Sequence, residues 1–218
     1  MNGLTIVQQL IVWVPPVLLA VTLHEVAHGL TALRLGDTTA RDLGRLSLNP
    51  LRHIDPIGTI LVPGVLLWLG GFVFGWAKPV PVDFRRLHNP KRDMALVAAA
   101  GPAANLVMAL VWTFILSAIV LAQNSPFIQY LLPLYHMSLA GITINVLLAV
   151  LNMLPIPPLD GGRVAVGILP PRMAVLLARV EPFGLFILLA LLASGVLSRI
   201  LGPPVTVLKH LYLSLVPI

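Results

Sequence analysis

The chain has 218 residues, 58% of them hydrophobic and 10% charged, with a mean hydropathy of +0.95. Charged residues make up about 25% of an ordinary soluble domain, so a water-soluble fold is excluded and a membrane-embedded one implied. The absence of cysteine rules out disulfides and thiolate metal sites. The net charge of +6 is assigned to loops flanking membrane spans, and no nucleic-acid partner is expected.

Residues 4–33 form a long apolar run, interrupted by Gln8-Gln9 and by His24-Glu25-Val26-Ala27-His28. At about 1.5 Å per residue, a helix of this length crosses a hydrocarbon core of about 30 Å, with a kink expected at Pro15-Pro16. No basic segment precedes the run and polar residues sit inside it, so it does not read as a removable signal peptide. Residues 34–56 are polar and turn-rich. The alternation over 41–50 predicts a short β-hairpin at the membrane, at about 38–50, whose edge is suited to pairing with an unwound substrate.

Residues 57–76 are apolar but broken by Pro63-Gly64 and Gly70-Gly71, and a basic loop follows over 78–93. Two clear spans, 94–122 and 130–154, are joined by the uncharged loop 123–129. The break Pro-Ile-Pro-Pro-Leu-Asp-Gly-Gly occupies 155–162, a short helical piece 164–169, a further span 183–197, and a marginal terminal span 203–218. The expected fold is an all-α polytopic membrane protein, one domain over 1–218, with about five to six transmembrane helices.

Four of the 14 Lys and Arg fall in 34–56, five in 76–93 and three in 155–180, while 123–129 has none. Basic loops favour the cytoplasmic side. Two basic segments flank 57–76, so that stretch is expected to enter and leave on the same side as a re-entrant segment. This topology puts the N-terminus outside and the His24–His28 region toward the cytoplasm.

His24 and His28 are four residues apart and share one helix face, so both imidazoles can grip one ion. Glu25 beside them is placed to act as a general base toward water. A chance occurrence of this pattern is common in soluble proteins, but three polar residues inside a membrane span are costly and usually functional. Zinc requires a third protein ligand. Asp37, Asp42, Asp55, Asp83 and Asp93 lie in basic loops and are expected to pair with Arg or Lys at the surface. Asp160 instead follows an apolar span in a proline-rich break, which suits a polar cavity; capping of the next helix is its other reading. Glu181-Pro182 is read as opening a helix.

The two motifs together, His24-Glu25-x-x-His28 and Asn152-x-x-Pro155-x-Pro157-x-Leu159-Asp160-Gly161, resemble those of the site-2 protease family of intramembrane metalloproteases. Gly101-Pro102-Ala-Ala-Asn105 and the stretch from Gly75 to Val82 resemble segments found between those motifs. The resemblance covers about residues 20–170. It implies His24, His28 and Asp160 holding one Zn2+ per chain and Glu25 as the catalytic base; the expected form is a minimal one, departing from the family in lacking a full span before the His24 helix and any PDZ or CBS domain. It also implies cleavage of transmembrane protein substrates in the bilayer, in the plasma membrane of a prokaryote, with the site toward the cytoplasm. Asn105 and Asn152 are either amides that bind neighbouring helices or groups that hold the substrate or its oxyanion. Two other classes remain open: a zinc-binding receptor or adaptor that does not cleave, and a cation transporter. Oligomeric state is not legible.

Overall fold

The computed structural model of the protein describes residues 5–61, 65, 75 and 77–217. Its first helix, α1 (Ile6–Arg34), begins at a capping box in which Thr5 Oγ1 accepts from Gln8 N and Gln8 Oε1 from Thr5 N. The helix continues through Pro15 and Pro16. A four-residue helix, α2 (Thr39–Asp42), follows. After a 3-10 turn (Pro50–Arg52) and a π-helical turn (Pro56–Leu61) come two long helices, α3 (Pro90–Leu121) and α4 (Ile128–Asn152). The chain closes with α5 (Asp160–Ile168), α6 (Pro171–Ala178), α7 (Gly184–Ala193) and α8 (Val196–Leu213).

The core is a three-helix contact in which α3 packs on α4 and α1 packs on both. Its centre is Ala109, Trp112 and Leu116 of α3 against Ile142 and Val146 of α4. Small and polar residues line these crossings: Ala20, Asn105, Thr113, Ser138, Ala140 and Asn145 have no exposure. The large apolar side chains point the other way, among them Leu10, Ile11 and Leu19 of α1 and Val107 and Phe114 of α3. Such an arrangement fits lipid outside and close backbone approach inside.

Four segments are long and apolar enough to cross a membrane: Ile6–Arg34, Pro90–Leu121, Ile128–Asn152 and Pro171–Ala193. The expected five to six spans are therefore corrected to four among the described residues. The span placed at 183–197 begins earlier, running through α6, the 3-10 turn Glu181–Phe183 and α7. Of the stretch 203–218, residues 203–213 belong to α8, whose Arg199, Lys209 and His210 leave it too polar to qualify. It lies instead against α4 and α3, where Tyr212 Oη donates to Leu106 O at 2.9 Å. The re-entrant segment expected at 57–76 lies largely outside the described residues.

The hairpin expected at 38–50 is also corrected, for there is no strand among the described residues. Residues 39–42 are helical, Gly44 ends that turn at φ 62°, and Asn49 Oδ1 accepts from Leu51 N to start the next one. Leu43, Leu48 and Leu51 are all exposed, so the alternation buries no common face.

Two of the five loop acids pair with arginine as expected: Asp42 with Arg41 at 3.0 Å and Asp83 with Arg86 at 3.5 Å. Asp55 accepts from Ile57 N and Gly58 N. Asp93 is buried and accepts from Asn89 N at the start of α3. His53 is buried, with Nε2 2.8 Å from Ser47 O.

Asp37 is wholly buried, taking Thr39 Oγ1 at 2.5 Å, Thr39 N at 3.0 Å and Asp83 N at 2.8 Å. It thereby clamps the chain at Asp83 to the end of α1. Burial alone raises its pKa, but the Thr39 and Asp83 hydrogen bonds, helped by the charge on Arg86, outweigh it and hold the carboxyl below the ordinary value. A depressed folded-state pKa contributes stability that is present at neutral pH and is lost as pH falls through that pKa. Asp37→Asn is expected to cost about 1–3 kcal/mol at pH 7, since one accepting oxygen becomes a donor facing a donor. Thermal unfolding in detergent checks this, and the gap between variant and wild type should narrow as the medium is acidified.

Candidate metal centre

His24 and His28 project from the C-terminal part of α1 toward residues 97–105 of α3. His28 Nδ1 lies 2.7 Å from Val97 O, and His24 Nδ1 lies 2.7 Å from Asn105 Oδ1. A carbonyl only accepts, so His28 carries its proton on Nδ1. The amide of Asn105 is oriented by its other contacts, with Nδ2 donating to Ala20 O at 3.2 Å and to Asn145 Oδ1 at 2.9 Å. Its oxygen therefore faces His24, which also carries its proton on Nδ1. Both Nε2 atoms are then left as lone pairs.

Those lone pairs point at each other and at a carboxylate. The two Nε2 atoms are 3.0 Å apart, and Asp160 Oδ2 lies 3.2 Å from His24 Nε2 and 3.3 Å from His28 Nε2. Asp160 Oδ2 is buried and has no hydrogen-bond donor. Three acceptors converging without a donor are repulsive unless a cation sits among them. Ligands about 2.0–2.2 Å from a tetrahedral zinc are separated by roughly 3.3–3.5 Å, so the triad, at 3.0–3.3 Å, needs only a slight spreading to hold that ion. Asp160 is the first helical residue of α5, with Leu159 in the capping position, and its side chain caps nothing.

Two tight backbone approaches make the triangle possible. A Cβ on Gly101 would overlap His28 Nε2 and sit 2.6 Å from His24 Cε1, so the imidazoles lie directly on the α3 backbone. At Gly161 a Cβ would run into the main chain of Met153, which lets α5 start against the end of α4. The sequence reading had singled out Gly101 only as part of a motif.

Glu25 is not a member of the triad. It lines a cleft of about 340 Å³ together with His24, His28, Asp160, Asn152 and Arg163, walled on one side by Ala77, Pro79, Val80 and Val82. Glu25 Oε2 accepts from Val80 N at 2.7 Å. Prolines at 79 and 81 have no N–H, so Val80 supplies the only backbone donor of that tripeptide. The family resemblance marks the stretch from Gly75 to Val82 but assigns Val80 no contact. Arg163 stands 3.6 Å from Glu181 and over the ring of Phe84.

Asn152 lines the cleft and donates through Nδ2 to Leu148 O. Asn105 has no exposure, and both of its amide hydrogens are donated elsewhere.

The site is thus a cluster of two histidines and one carboxylate that could hold a metal ion, with an adjacent glutamate, set among helices long and apolar enough to cross a membrane. The profile of Peptidase family M50 matches residues 121–195, which take in Asp160. The chain is 36% identical to "Putative zinc metalloprotease YwhC" of Bacillus subtilis, over 84% of this chain and 80% of that protein. It is 33% identical to "Putative zinc metalloprotease Rip2" of Mycolicibacterium smegmatis and 32% identical to the protein of that name from Mycobacterium tuberculosis, covering 66% of each. No solved structure matches the chain. The chain belongs to peptidase family M50, the site-2 protease family of metalloproteases.

Proposed function

We propose that the protein is an intramembrane zinc metalloprotease that hydrolyses peptide bonds within or beside transmembrane segments of other membrane proteins. The carrying observation is the convergence of His24 Nε2, His28 Nε2 and Asp160 Oδ2, unpaired with any donor, beside Glu25 in a cleft among apolar helices. His24, His28 and Asp160 are the residues that hold one zinc per chain. When bound, the ion supplies Lewis acidity, acidifying a water and polarising a carbonyl.

Glu25 takes a proton from water and returns it to the leaving amine. Val80 N–H fixes one carboxylate oxygen, leaving the other for that transfer. Asn152, on the cleft wall, is assigned to the substrate carbonyl. A helical substrate hides its carbonyls in its own hydrogen bonds, so it unwinds before attack. Helix breakers near the cleavage point should therefore speed cleavage and leucine stiffening should slow it, as gel assays of matched substrates would register.

His24 lies about 15 Å along the helix axis from Arg34, roughly half of a hydrocarbon core of about 30 Å. The Lys and Arg of 34–56, 76–93 and 155–180 favour the cytoplasmic side for that end, in the plasma membrane of a prokaryote. This supports regulated intramembrane proteolysis from the cytoplasmic half of the bilayer. The deciding experiment incubates purified protein with a panel of single-span substrates, with and without a zinc chelator. Cleavage within a span, lost on chelation and regained on adding zinc, is expected. Bound zinc with no cleavage of any span would instead indicate a receptor, and metal flux in proteoliposomes without proteolysis a transporter.

A further inference from the structure

A chain of fixed amides runs from the middle of α4 to the metal centre. Asn145 Nδ2 donates to Gly141 O at 2.9 Å, which turns its oxygen toward α3. That oxygen accepts from Asn105 Nδ2, whose second hydrogen goes to Ala20 O of α1. Asn105 Oδ1 then faces His24 Nδ1. Each amide is anchored on a main-chain carbonyl, which cannot donate, so neither can flip without leaving a buried group unpaired. Asn105 and Asn145 are both without exposure.

The two histidines are held unequally. His28 hangs on the α3 backbone itself, at Val97 O. His24 depends on a side chain, and that side chain depends on a second one in another helix. Gly101 and Asn105 stand one turn apart on the same face of α3, so one residue admits the imidazoles and the next orients one of them.

We infer that Asn145 and Asn105 form a relay that sets the tautomer and ring orientation of His24, making Asn105 a positioning residue for the metal and not a substrate-binding group. A ring nitrogen binds metal through its lone pair only if the opposite nitrogen holds the proton, and outer partners that enforce this typically govern affinity by about 10–100-fold. Asn105 has no amide hydrogen left for an oxyanion. The relay also ties α1, α3 and α4 together at the depth of the site, so helix packing and metal affinity share the same bonds. This inference rests on the zinc reading above.

The test measures zinc affinity by competition with a chelator, alongside the absorption spectrum of the cobalt-substituted protein and thermal stability of the full chain. Asn105→Leu is expected to weaken zinc by about 10–100-fold and to shift the cobalt bands. Asn105→Asp keeps an acceptor against His24 Nδ1 while giving up both donated bonds. It should recover most of the zinc affinity without recovering the thermal stability, a split that a purely structural role does not produce. Asn145→Leu leaves Asn105 tied to Ala20 O and should weaken zinc by a smaller factor; it serves if Asn105→Leu does not fold. Wild-type zinc affinity in these variants with lowered turnover would overturn the relay and return Asn105 to substrate binding. Equal losses of affinity and stability in Asn105→Leu and Asn105→Asp would reduce it to helix packing. Failure of the wild-type chain to bind zinc would overturn the metal reading and the relay with it.

Discussion

Replacing Glu25 by Gln is expected to lower turnover of a single-span substrate by about 10²–10⁴-fold, the range contributed by a positioned general base, with one zinc per chain retained. The expectation follows from how the carboxylate is held. One oxygen, Oε2, accepts from Val80 N at 2.7 Å, and that donor lies in a cleft wall whose neighbouring prolines offer no other. A glutamine must turn its carbonyl oxygen to Val80, because its amide nitrogen would face the N–H donor to donor. The nitrogen is thereby directed to the position from which Glu25 takes a proton, and an amide nitrogen cannot take one. Shape and the Val80 contact survive, as do His24, His28 and Asp160, so metal content should not change. Metal analysis and turnover measured on one preparation check both halves. A variant that cleaves at the wild-type rate would show that another group moves the proton; one that loses zinc would show that Glu25 supports the metal instead.

What the sequence made legible is what depends on spacing along one helix or on the cost of polarity in a membrane. His24 and His28 lie one turn apart, and no packing detail is needed to bring their nitrogens to one point. Asp160 stands out because it follows an apolar span inside a proline-rich break. The spans 94–122 and 130–154 coincide with α3 and α4 because length and hydropathy alone mark them. The hairpin failed because period-two alternation identifies a strand by a single buried face, whereas Leu43 and Leu48 are exposed and Leu46 alone packs inward, over Gly29. Asp37 and Asp93 were read as surface acids from the basic residues around them, whereas backbone N–H groups take their oxygens. Asn105 is legible as a polar residue in a span, whereas Asn145 is not singled out by the sequence. Which way each turned, and that one ends on His24, depends on three helices meeting.

The second large effect is expected at a residue with no functional atoms. Gly101→Ala should abolish tight zinc binding, weakening it by more than the roughly 10–100-fold typical of losing an outer partner. The added methyl would occupy the place of His28 Nε2 and press within 2.6 Å of both His24 Cε1 and His28 Cε1. Neither ring can retreat and keep its place. His28 Nδ1 is held on Val97 O and His24 Nδ1 on Asn105 Oδ1, so moving either imidazole breaks a buried hydrogen bond as well as the triangle with Asp160. The main chain of α3 cannot yield instead, since the same turn is packed against α1 and α4. Gly202→Ala provides the contrast, for it lies within α8 and a Cβ there meets nothing within 4 Å. Alanine there gains helix propensity but precedes Pro203, whose ring crowds an α-helical Cβ, so that change is expected to alter stability by less than about 1 kcal/mol and to leave zinc affinity untouched. Measuring chelator competition and thermal unfolding for the two variants side by side separates loss of a helical glycine from loss of the cradle under the imidazoles. If Gly101→Ala bound zinc like the wild type, the histidines would have to reach the ion from positions other than those found against α3.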